Sequence, residues 1–423
     1  MDQQQRGRRN LLQNLFITLL SLTAVMLFAQ TQLYSLDLTG GYRNTLAGGE
    51  SSSAPASAAG LTAPVRVAVT GAFGRYGNLT LTTDADAFAD PLGRRLAEAL
   101  GSAKEYVPCG KEGILQALAG PSLYYDFLES LPLSILAELV DASGDTREDL
   151  FARRLIIAPK TGGGTALYLW DGGDTGWRAD TAVSLDSLEQ VIGRFELGGA
   201  AFALDSPEAE AVLDPCSLLL AESPVLPVLQ TDSFSLENTD WLLSALGFNP
   251  RTRTRHTESS GTEIIMDGNR TLRIRPDFSV FYQSLREPVL RVKAEQELPT
   301  LREAACGAAA LLESLLENIP GEAAFYLQSI RQSGTTTTLR FGYQSQGVPV
   351  RFANGGFAAE VTLTGTSISG LNLRLRQYSP SGEASLLLPL AQVLAVAAGT
   401  PGRELSIGYV DSGGVCEAEW LVD

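Results

Sequence analysis

The feature that most constrains this chain is an uncharged stretch close to its N-terminus. No charged residue occurs between Asn10 and Leu36, and the centre of the stretch, from Leu15 to Ala29, is almost wholly apolar. A helix of roughly 20 apolar residues is long enough to cross the hydrocarbon core of a bilayer. The sequence therefore predicts a transmembrane helix over residues 11–36.

The charges on either side of this stretch predict how the helix is oriented. Arg6, Arg8 and Arg9 lie in a basic tail over residues 1–10, and Asp37 is the first charge after the stretch. Because positive residues remain on the cytoplasmic side, we expect a single-pass protein of the cell membrane whose bulk is extracytoplasmic. The alternative is a cleaved signal peptide, although the small residues that cleavage requires are poorly placed.

Three polar residues share one face of the predicted transmembrane helix. Asn14, Thr18 and Ser21 are spaced three or four residues apart, which places them one above another on a helix. Polar and small residues join membrane helices by close packing and hydrogen bonds, so this face is a candidate contact with a partner helix. Alternatively, the two hydroxyls bond back to carbonyls of their own helix.

The rest of the chain is long enough for two or three domains. Of its 423 residues, 44% are hydrophobic and 19% are charged, values that fit a folded protein and neither a disordered nor a multi-span one. A tract rich in Gly, Ser and Ala predicts a flexible linker over residues 37–64. We predict an N-terminal α+β domain over 65–205, a middle β-meander module over 206–298 and a C-terminal α+β module over 299–423.

Local patterns predict an α+β fold in which antiparallel sheets pack against helices. The alternating run Val65–Thr70 predicts a first strand, and a turn at residues 267–269 predicts a meander of short strands. Prolines interrupt every longer pattern between Pro207 and Pro227, which indicates a break. Helices are predicted over Leu92–Leu100, Ser184–Phe195, Thr239–Leu246, Pro299–Asn318 and Leu386–Ala398.

The charge of the chain bears on its partners. A net charge of -16 repels the phosphates of nucleic acids, so no nucleic-acid partner is predicted. Arg251, Arg253 and Arg255 would share one face of a strand, and this basic spot is a candidate contact with an acidic partner. The alternative is that these arginines are ordinary solvated or ion-paired surface charges.

The residues needed for catalysis or metal binding are scarce. His256 is the single histidine, and its polar neighbours predict an exposed position rather than a general base or metal ligand. No CxxC pair, phosphate loop or nucleophile elbow occurs. No catalytic residue, metal site or cofactor is therefore predicted, and we expect a protein that is not an enzyme. Abundant acidic residues leave a glycosidase-type carboxylate pair open, with nothing to single one out.

The cysteines are too far apart in the sequence to suggest a motif. Unpaired thiols are favoured over disulfides, although an exterior location would permit either. One of them, in an Ala-rich helix, is expected to be a small core residue. The four are Cys109, Cys216, Cys306 and Cys416.

Several stretches together resemble a known family. They are the N-terminal anchor, residues 119–127 followed by 131–133, residues 246–250 leading to 266–274, and the C-terminal end at 419–422. In these stretches the sequence is similar to the YycH family, extracytoplasmic regulators of the WalK sensor kinase in Gram-positive bacteria. The resemblance covers most of the predicted ectodomain, and every matching motif is structural.

The resemblance implies a regulatory protein that modulates a membrane sensor histidine kinase through transmembrane and ectodomain contacts. It also implies a YycI-like protein of similar topology as a further partner. Two alternatives come from other classes of protein. One is a cell-envelope protein that binds or hydrolyses wall polymer, and the other is a structural component of the envelope or of sporulation.

Overall fold

The computed structural model describes residues 64–79, 89–140, 142, 150–231, 239–249, 254–285, 289–319 and 321–422. The predicted basic tail and transmembrane helix, including Asn14, Thr18 and Ser21, lie outside these residues, as do Arg251 and Arg253. No helix within the described ranges is long and apolar enough to span a membrane.

The described part of the chain consists mainly of short strands. They are β1 Arg66–Gly71, β2 Gly74–Asn78, β3 Lys104–Gly110, β4 Ser122–Pro132, β5 Phe151–Pro159, β6 Thr165–Trp170, β7 Thr175–Thr181, β8 Ala200–Phe202, β9 Leu218–Leu220, β10 Pro227–Thr231, β11 Thr254–Thr257, β12 Glu263–Asp267, β13 Arg270–Ile274, β14 Ser279–Ser284, β15 Ala323–Ser333, β16 Thr336–Ser345, β17 Val348–Phe352, β18 Ala359–Thr364, β19 Ser367–Arg374, β20 Ser379–Ala384, β21 Leu405–Asp411, β22 Gly414–Cys416 and β23 Ala418–Val422.

Fewer residues are helical. The α-helices are α1 Arg94–Ser102, α2 Lys111–Ala119, α3 Leu133–Leu139, α4 Leu185–Ile192, α5 Pro207–Glu210, α6 Asp240–Ala245, α7 Leu301–Leu316 and α8 Leu390–Ala397, with a π-helical turn at Ala89–Gly93 and a 3-10 turn at Ala203–Asp205.

The described strands form three sheets. The first has nine strands in the order β3-β7-β6-β5-β4-β1-β2-β8-β9. The second has eleven, in the order β11-β12-β13-β14-β19-β18-β16-β17-β21-β23, with β15 paired to β16. A small sheet, β20-β10-β22, is the third. The ladder between β17 and β21 is parallel, whereas the other ladders between named strands are antiparallel, which confirms the predicted α+β class with antiparallel sheets.

Two of these sheets cross the limits predicted from sequence. Strands β11 to β14 of the predicted middle module continue into the C-terminal strands, because β14 pairs with β19. Strand β9, also from the middle module, extends the N-terminal sheet through β8. The predicted domain limits stay a prediction. The segment Pro207–Pro227, where a break is predicted, contains only the short elements α5 and β9 and ends at the start of β10.

The longest described helix, α7, begins two residues after the predicted start at Pro299, and Thr300 caps it. The Thr300 hydroxyl accepts a hydrogen bond from the Glu303 backbone N–H at 3.2 Å, and the Glu303 carboxylate accepts one from the Thr300 N–H at 2.9 Å. This reciprocal capping satisfies backbone donors at the start of the helix that would otherwise lack partners. Leu311, Leu312 and Leu315 are buried, and the helix packs against β15 and α3.

Six charged residues, four of them buried and two half-buried, lie where the nine-stranded sheet meets the eleven-stranded sheet. Formally they are three positive and three negative groups, so their charges cancel. Burial of charge is tolerated when each group has an oppositely charged, hydrogen-bonded partner. These residues, called the ionic cluster below, are Arg66, Asp126, Arg153, Arg154, Asp214 and Glu404.

Asp126 is the carboxylate contributed by the first sheet. It is fully buried on β4, where its Oδ2 lies 3.0 Å from Arg66 Nη2 and its Oδ1 lies 3.0 Å from Arg153 Nε. The Tyr124 hydroxyl and the Leu128 N–H also donate hydrogen bonds to it. Burial alone would raise the pKa of Asp126, but the guanidinium groups of Arg66, Arg153 and Arg154 outweigh this effect and hold the pKa well below its usual range.

Glu404 is the carboxylate contributed by the second sheet, immediately before β21. Its Oε1 lies 2.6 Å from Arg66 Nη2, and its Oε2 lies 2.6 Å from Arg153 Nη2. The adjacent backbone is also fixed, because the Asp214 N–H bonds the Arg403 carbonyl at 2.7 Å and the Leu405 N–H bonds the Ser217 hydroxyl. The two sheets are therefore joined by paired charges as well as by apolar packing.

Replacing Asp126 with Asn should destabilise the protein by about 3–5 kcal/mol, the usual cost of removing one partner from a buried ion pair. The measurement is urea unfolding of the full-length chain in detergent. Because the native pKa of Asp126 lies below the unfolded value of about 3.9, its contribution is complete above that pH and is lost as the pH falls towards the native pKa. The difference between wild type and variant should therefore be constant at neutral pH and should shrink below about pH 4.

Asp180→Asn is the matched control, since this exposed carboxylate pairs with Lys160 on the surface. It should leave the unfolding midpoint almost unchanged. If Asp126→Asn unfolded at the same urea concentration as the wild-type protein, the ionic cluster would not stabilise the fold as argued.

Candidate functional site

The C-terminal part of the chain presents an uncharged segment to solvent. No charged residue occurs between Ser385 and Gly402, a segment that includes α8. Leu386 is 89% exposed and Val396 is 66% exposed, and Leu388 is also exposed. These residues, together with the exposed Ala391 and Ala395 of α8, are called the apolar surface below.

The helix beneath this surface is fixed by packing on its other face. Val393 and Ala397 are buried against an apolar group that includes Leu213, Leu219 and Leu405. Positions four residues apart lie on one face of a helix, so the pair 393 and 397 faces inward. Ala391 and Ala395 form a second such pair on the exposed side.

The segment leading into α8 is fixed by hydrogen bonds. The Ser385 N–H donates to the Leu226 carbonyl at 2.7 Å, and the Ser385 hydroxyl accepts the Ala418 N–H at 3.0 Å. The Trp420 indole N–H donates to the Leu388 carbonyl at 3.0 Å. The exposed leucines are therefore attached to an ordered backbone.

An exposed apolar surface on an ordered scaffold is typical of a protein-binding site. Apolar side chains exclude water against a complementary partner, but they supply no acid, base or nucleophile. Among the described residues, no group of three or more His, Cys, Asp or Glu side chains could hold a metal ion. What this arrangement can do chemically is bind another apolar protein surface.

The structure describes only one of the predicted site residues. Arg255 lies on β11, is exposed, and forms an ion pair with Glu263 of the neighbouring strand. His256 on the same strand is exposed, as predicted. Asn14, Thr18, Ser21, Arg251 and Arg253 lie outside the described residues, so the anchor face and the shared arginine face stay predictions.

None of the four cysteines, all of which lie within the described residues, forms a disulfide, although they differ in environment. Cys216 and Cys416 are buried, and burial raises the pKa of each thiol to about 12. Neither thiol is therefore a nucleophile at neutral pH, since the thiolate is the reactive form. Cys109 and Cys306 are half-buried, the latter within α7.

Sequence reasoning located the helix in this region but did not identify its surface. The prediction of a helix over Leu386–Ala398 includes all of α8. Its apolar composition is equally compatible with a helix buried on all sides. The absence of any charge from Ser385 to Gly402, although Glu383 and Arg403 flank the segment, was the available signal.

Comparison with known proteins identifies a shared fold. No family model matches the sequence, and no curated protein matches it. The fold is similar to the crystal structure of YycH from Bacillus subtilis, with a TM-score of 0.50. The likeness covers 86% of this chain and 94% of that chain at 14% sequence identity. The resemblance inferred from sequence is thereby confirmed at the level of the fold.

The cysteine environments predict a graded reaction with Ellman's reagent at pH 8. The half-buried Cys109 and Cys306 should react in the folded protein, whereas Cys216 and Cys416 should react only when urea unfolds it, because their native thiols are buried and protonated. All four thiols should be titrated after unfolding without reductant. A titre of two thiols after unfolding would instead reveal a disulfide and contradict the structure. Replacing Cys109 with Ser should remove one of the two thiols that react in the folded protein and leave the two slow thiols unchanged.

Proposed function

We propose that this protein is an extracytoplasmic regulatory protein that acts by binding and not by catalysis, and that it modulates a membrane sensor histidine kinase. The observation that carries the proposal is the similarity of fold to YycH over most of both chains. The sequence resemblance to the same family supports it, and so does the apolar surface. A YycI-like protein is proposed as a second partner.

The proposed mechanism requires two contacts with the kinase. The predicted transmembrane helix packs beside the kinase helices through Asn14, Thr18 and Ser21, and the apolar surface contacts an extracytoplasmic part of the kinase. A regulator shifts the balance between two signalling states only if it binds one of them more strongly. Each of the two contacts can contribute to this preference for one state.

The scaffold suits this role because the apolar surface rests on the same segments that hold the two sheets together. The residues beneath α8 include Leu213 and Leu405, which adjoin Asp214 and Glu404 of the ionic cluster. A partner bound to α8 would therefore contact a helix that packs on a part of the fold held in place by the ionic cluster. A structural role in the envelope is the competing proposal, since an exposed apolar surface also fits self-association.

The test of the ectodomain contact is crosslinking of the full-length protein in cells, followed by mass spectrometry of the crosslinked membrane proteins. The double variant Leu386→Glu and Val396→Glu places charge on two exposed positions, so it should fold normally. We expect the wild-type protein to crosslink to a sensor histidine kinase. The double variant should yield about tenfold less, because an unpaired charge in an interface costs well over 1 kcal/mol.

The matched control is Phe73→Glu, which adds one charge at another exposed apolar position, 92% exposed in the turn between β1 and β2. It should leave kinase recovery unchanged. Equal loss in both variants would contradict a contact specific to the apolar surface. Recovery of this chain alone would favour the structural alternative.

The anchor contact is tested separately by replacing Asn14, Thr18 and Ser21 with Leu. The substituted helix remains apolar enough to insert, but it lacks the polar face proposed to contact the kinase. Recovery of the kinase should fall while the amount of protein in the membrane is unchanged. If the variant crosslinked to the kinase as efficiently as the wild-type protein, the polar face of the helix would not contact the kinase.

A further inference from the structure

The outer face of the eleven-stranded sheet has a cleft that the proposed function does not use. The cleft has a volume of about 430 Å³ and is lined by Arg275, Arg374 and Arg376 together with Phe281, Phe352 and Asn372. It is called the arginine cleft below. Three guanidinium groups in one cleft are notable in a chain whose net charge is -16.

Strand register explains why these side chains face the same way. In the ladder between β14 and β19, Ser279 pairs with Arg374 and Phe281 pairs with Asn372. Alternate residues of a strand point to opposite faces of the sheet. The intervening residues Val280 and Leu373 are buried, so the paired positions that line the cleft lie on the solvent side.

Two of the arginines are held by aromatic rings. The Arg275 guanidinium carbon lies 4.5 Å from the centroid of the Phe281 ring, and that of Arg374 lies 4.6 Å from the centroid of the Phe352 ring. Arg374 also donates from Nη1 to the Asn354 side chain and the Gly355 carbonyl, each at 3.1 Å. Stacking orients a guanidinium plane and leaves its edge free to donate hydrogen bonds.

Two of the three cleft arginines have no acidic partner within the described part of the chain. Arg275 and Arg374 form no salt bridge with a described residue, whereas Arg376 Nε lies 3.3 Å from Asp411 Oδ2. The Tyr378 hydroxyl and the Gly413 N–H also donate to Asp411. The Asp411 carboxylate therefore pairs with Arg376 and forms no salt bridge with Arg275 or Arg374.

The second acidic residue of the cleft is engaged as well. Asp277 Oδ1 accepts the Ser279 N–H at 3.0 Å, and the Asp277 carbonyl accepts a hydrogen bond from Arg376 Nη1 at 2.9 Å. The cleft thus contains three guanidinium groups and two carboxylates, both of which already have local donors. The imbalance leaves a site for one further anion.

The turn that carries Arg275 has an unfavourable backbone conformation. Phe278 has φ of 61°, a left-handed conformation that is rare for a bulky residue and persists only when the surroundings impose it. Its N–H bonds the Arg275 carbonyl at 3.0 Å, and its carbonyl accepts the Leu375 N–H at 3.1 Å. These bonds tie the turn with Arg275 to the segment with Arg374 and Arg376.

We infer that the arginine cleft binds a phosphate-bearing ligand. Guanidinium groups bind phosphate through pairs of charge-assisted hydrogen bonds. A tetrahedral phosphate presents acceptors in several directions and so matches donors that come from separate segments, whereas a carboxylate presents two acceptors in one plane. The phosphate can belong to a small phosphate ester or to a phosphodiester polymer. This inference does not depend on the proposed kinase partner.

The test is isothermal titration of the full-length protein in detergent with glycerol phosphate, poly(glycerol phosphate), succinate and an oligoglutamate peptide. We expect both phosphate compounds to bind. Tighter binding of the polymer, per phosphate, would assign the site to a phosphodiester polymer, and equal binding would assign it to a small ester. Failure of both phosphates to bind, or equally tight binding of succinate or oligoglutamate, would overturn the inference.

Variants test whether the phosphate binds in the arginine cleft. Arg275→Gln together with Arg374→Gln should weaken phosphate binding by at least about tenfold, as expected for loss of charge-assisted hydrogen bonds. Arg340→Gln is the matched control, because Arg340 lies on the same sheet, stacks on Phe357 and is already paired with Glu360. Unchanged affinity in the double variant would overturn the inference. If the double variant unfolds more readily without ligand, the single change Arg275→Gln at an exposed position gives the same comparison.

Discussion

The arrangement of the two large sheets depends on a charge interaction from which water is largely excluded. Glu404, beside the C-terminal sheet, forms salt bridges with Arg66 and Arg153 of the N-terminal sheet. Asp126, which belongs to the N-terminal sheet, forms salt bridges with the same two arginines. Such a group adds little to the free energy of unfolding compared with an apolar contact of the same shape. Removing one of its partners, however, is strongly destabilising. It therefore selects one relative position of the sheets, since any shift would leave a buried charge unpaired.

Local sequence patterns predicted elements whose residues lie close together in the chain. The strand β1 and the helices α7 and α8 were found because alternation and helical spacing act within a few residues. Strands β10 and β20 were missed, since the first begins with a proline, Pro380 interrupts the second, and neither has a clear alternation. They form through pairing with distant segments, Leu229 with Pro380 and with Cys416, and no local pattern records a distant partner.

The residues that the fold brings together from distant parts of the chain were harder to predict from sequence than the helices and strands. Arg66 bonds the Leu405 carbonyl across 339 residues of sequence, and the cleft arginines come from a turn and from the end of another strand. The alternating arginines at residues 251–255 predicted a basic spot, because alternate spacing can be read directly from the sequence. In the structure, however, Arg255 is paired with Glu263. Arg374 and Arg376 have the same alternate spacing, but their importance comes from Arg275, which only the sheet register brings near.

Strand β21 relates the two charged regions, because Glu404 precedes it and Asp411 ends it. A strand of this length places these carboxylates on the order of 20 Å apart, well beyond the roughly 8 Å over which exposed charges interact at physiological salt. Charge changes at the mouth of the cleft should thus leave the ionic cluster undisturbed, so the binding of an anion can be separated experimentally from the stability of the fold. The apolar surface, in contrast, adjoins the cluster through Leu405. The proposed partner at α8 and the proposed anion in the cleft would therefore contact opposite ends of one strand, the first through apolar packing and the second through charge.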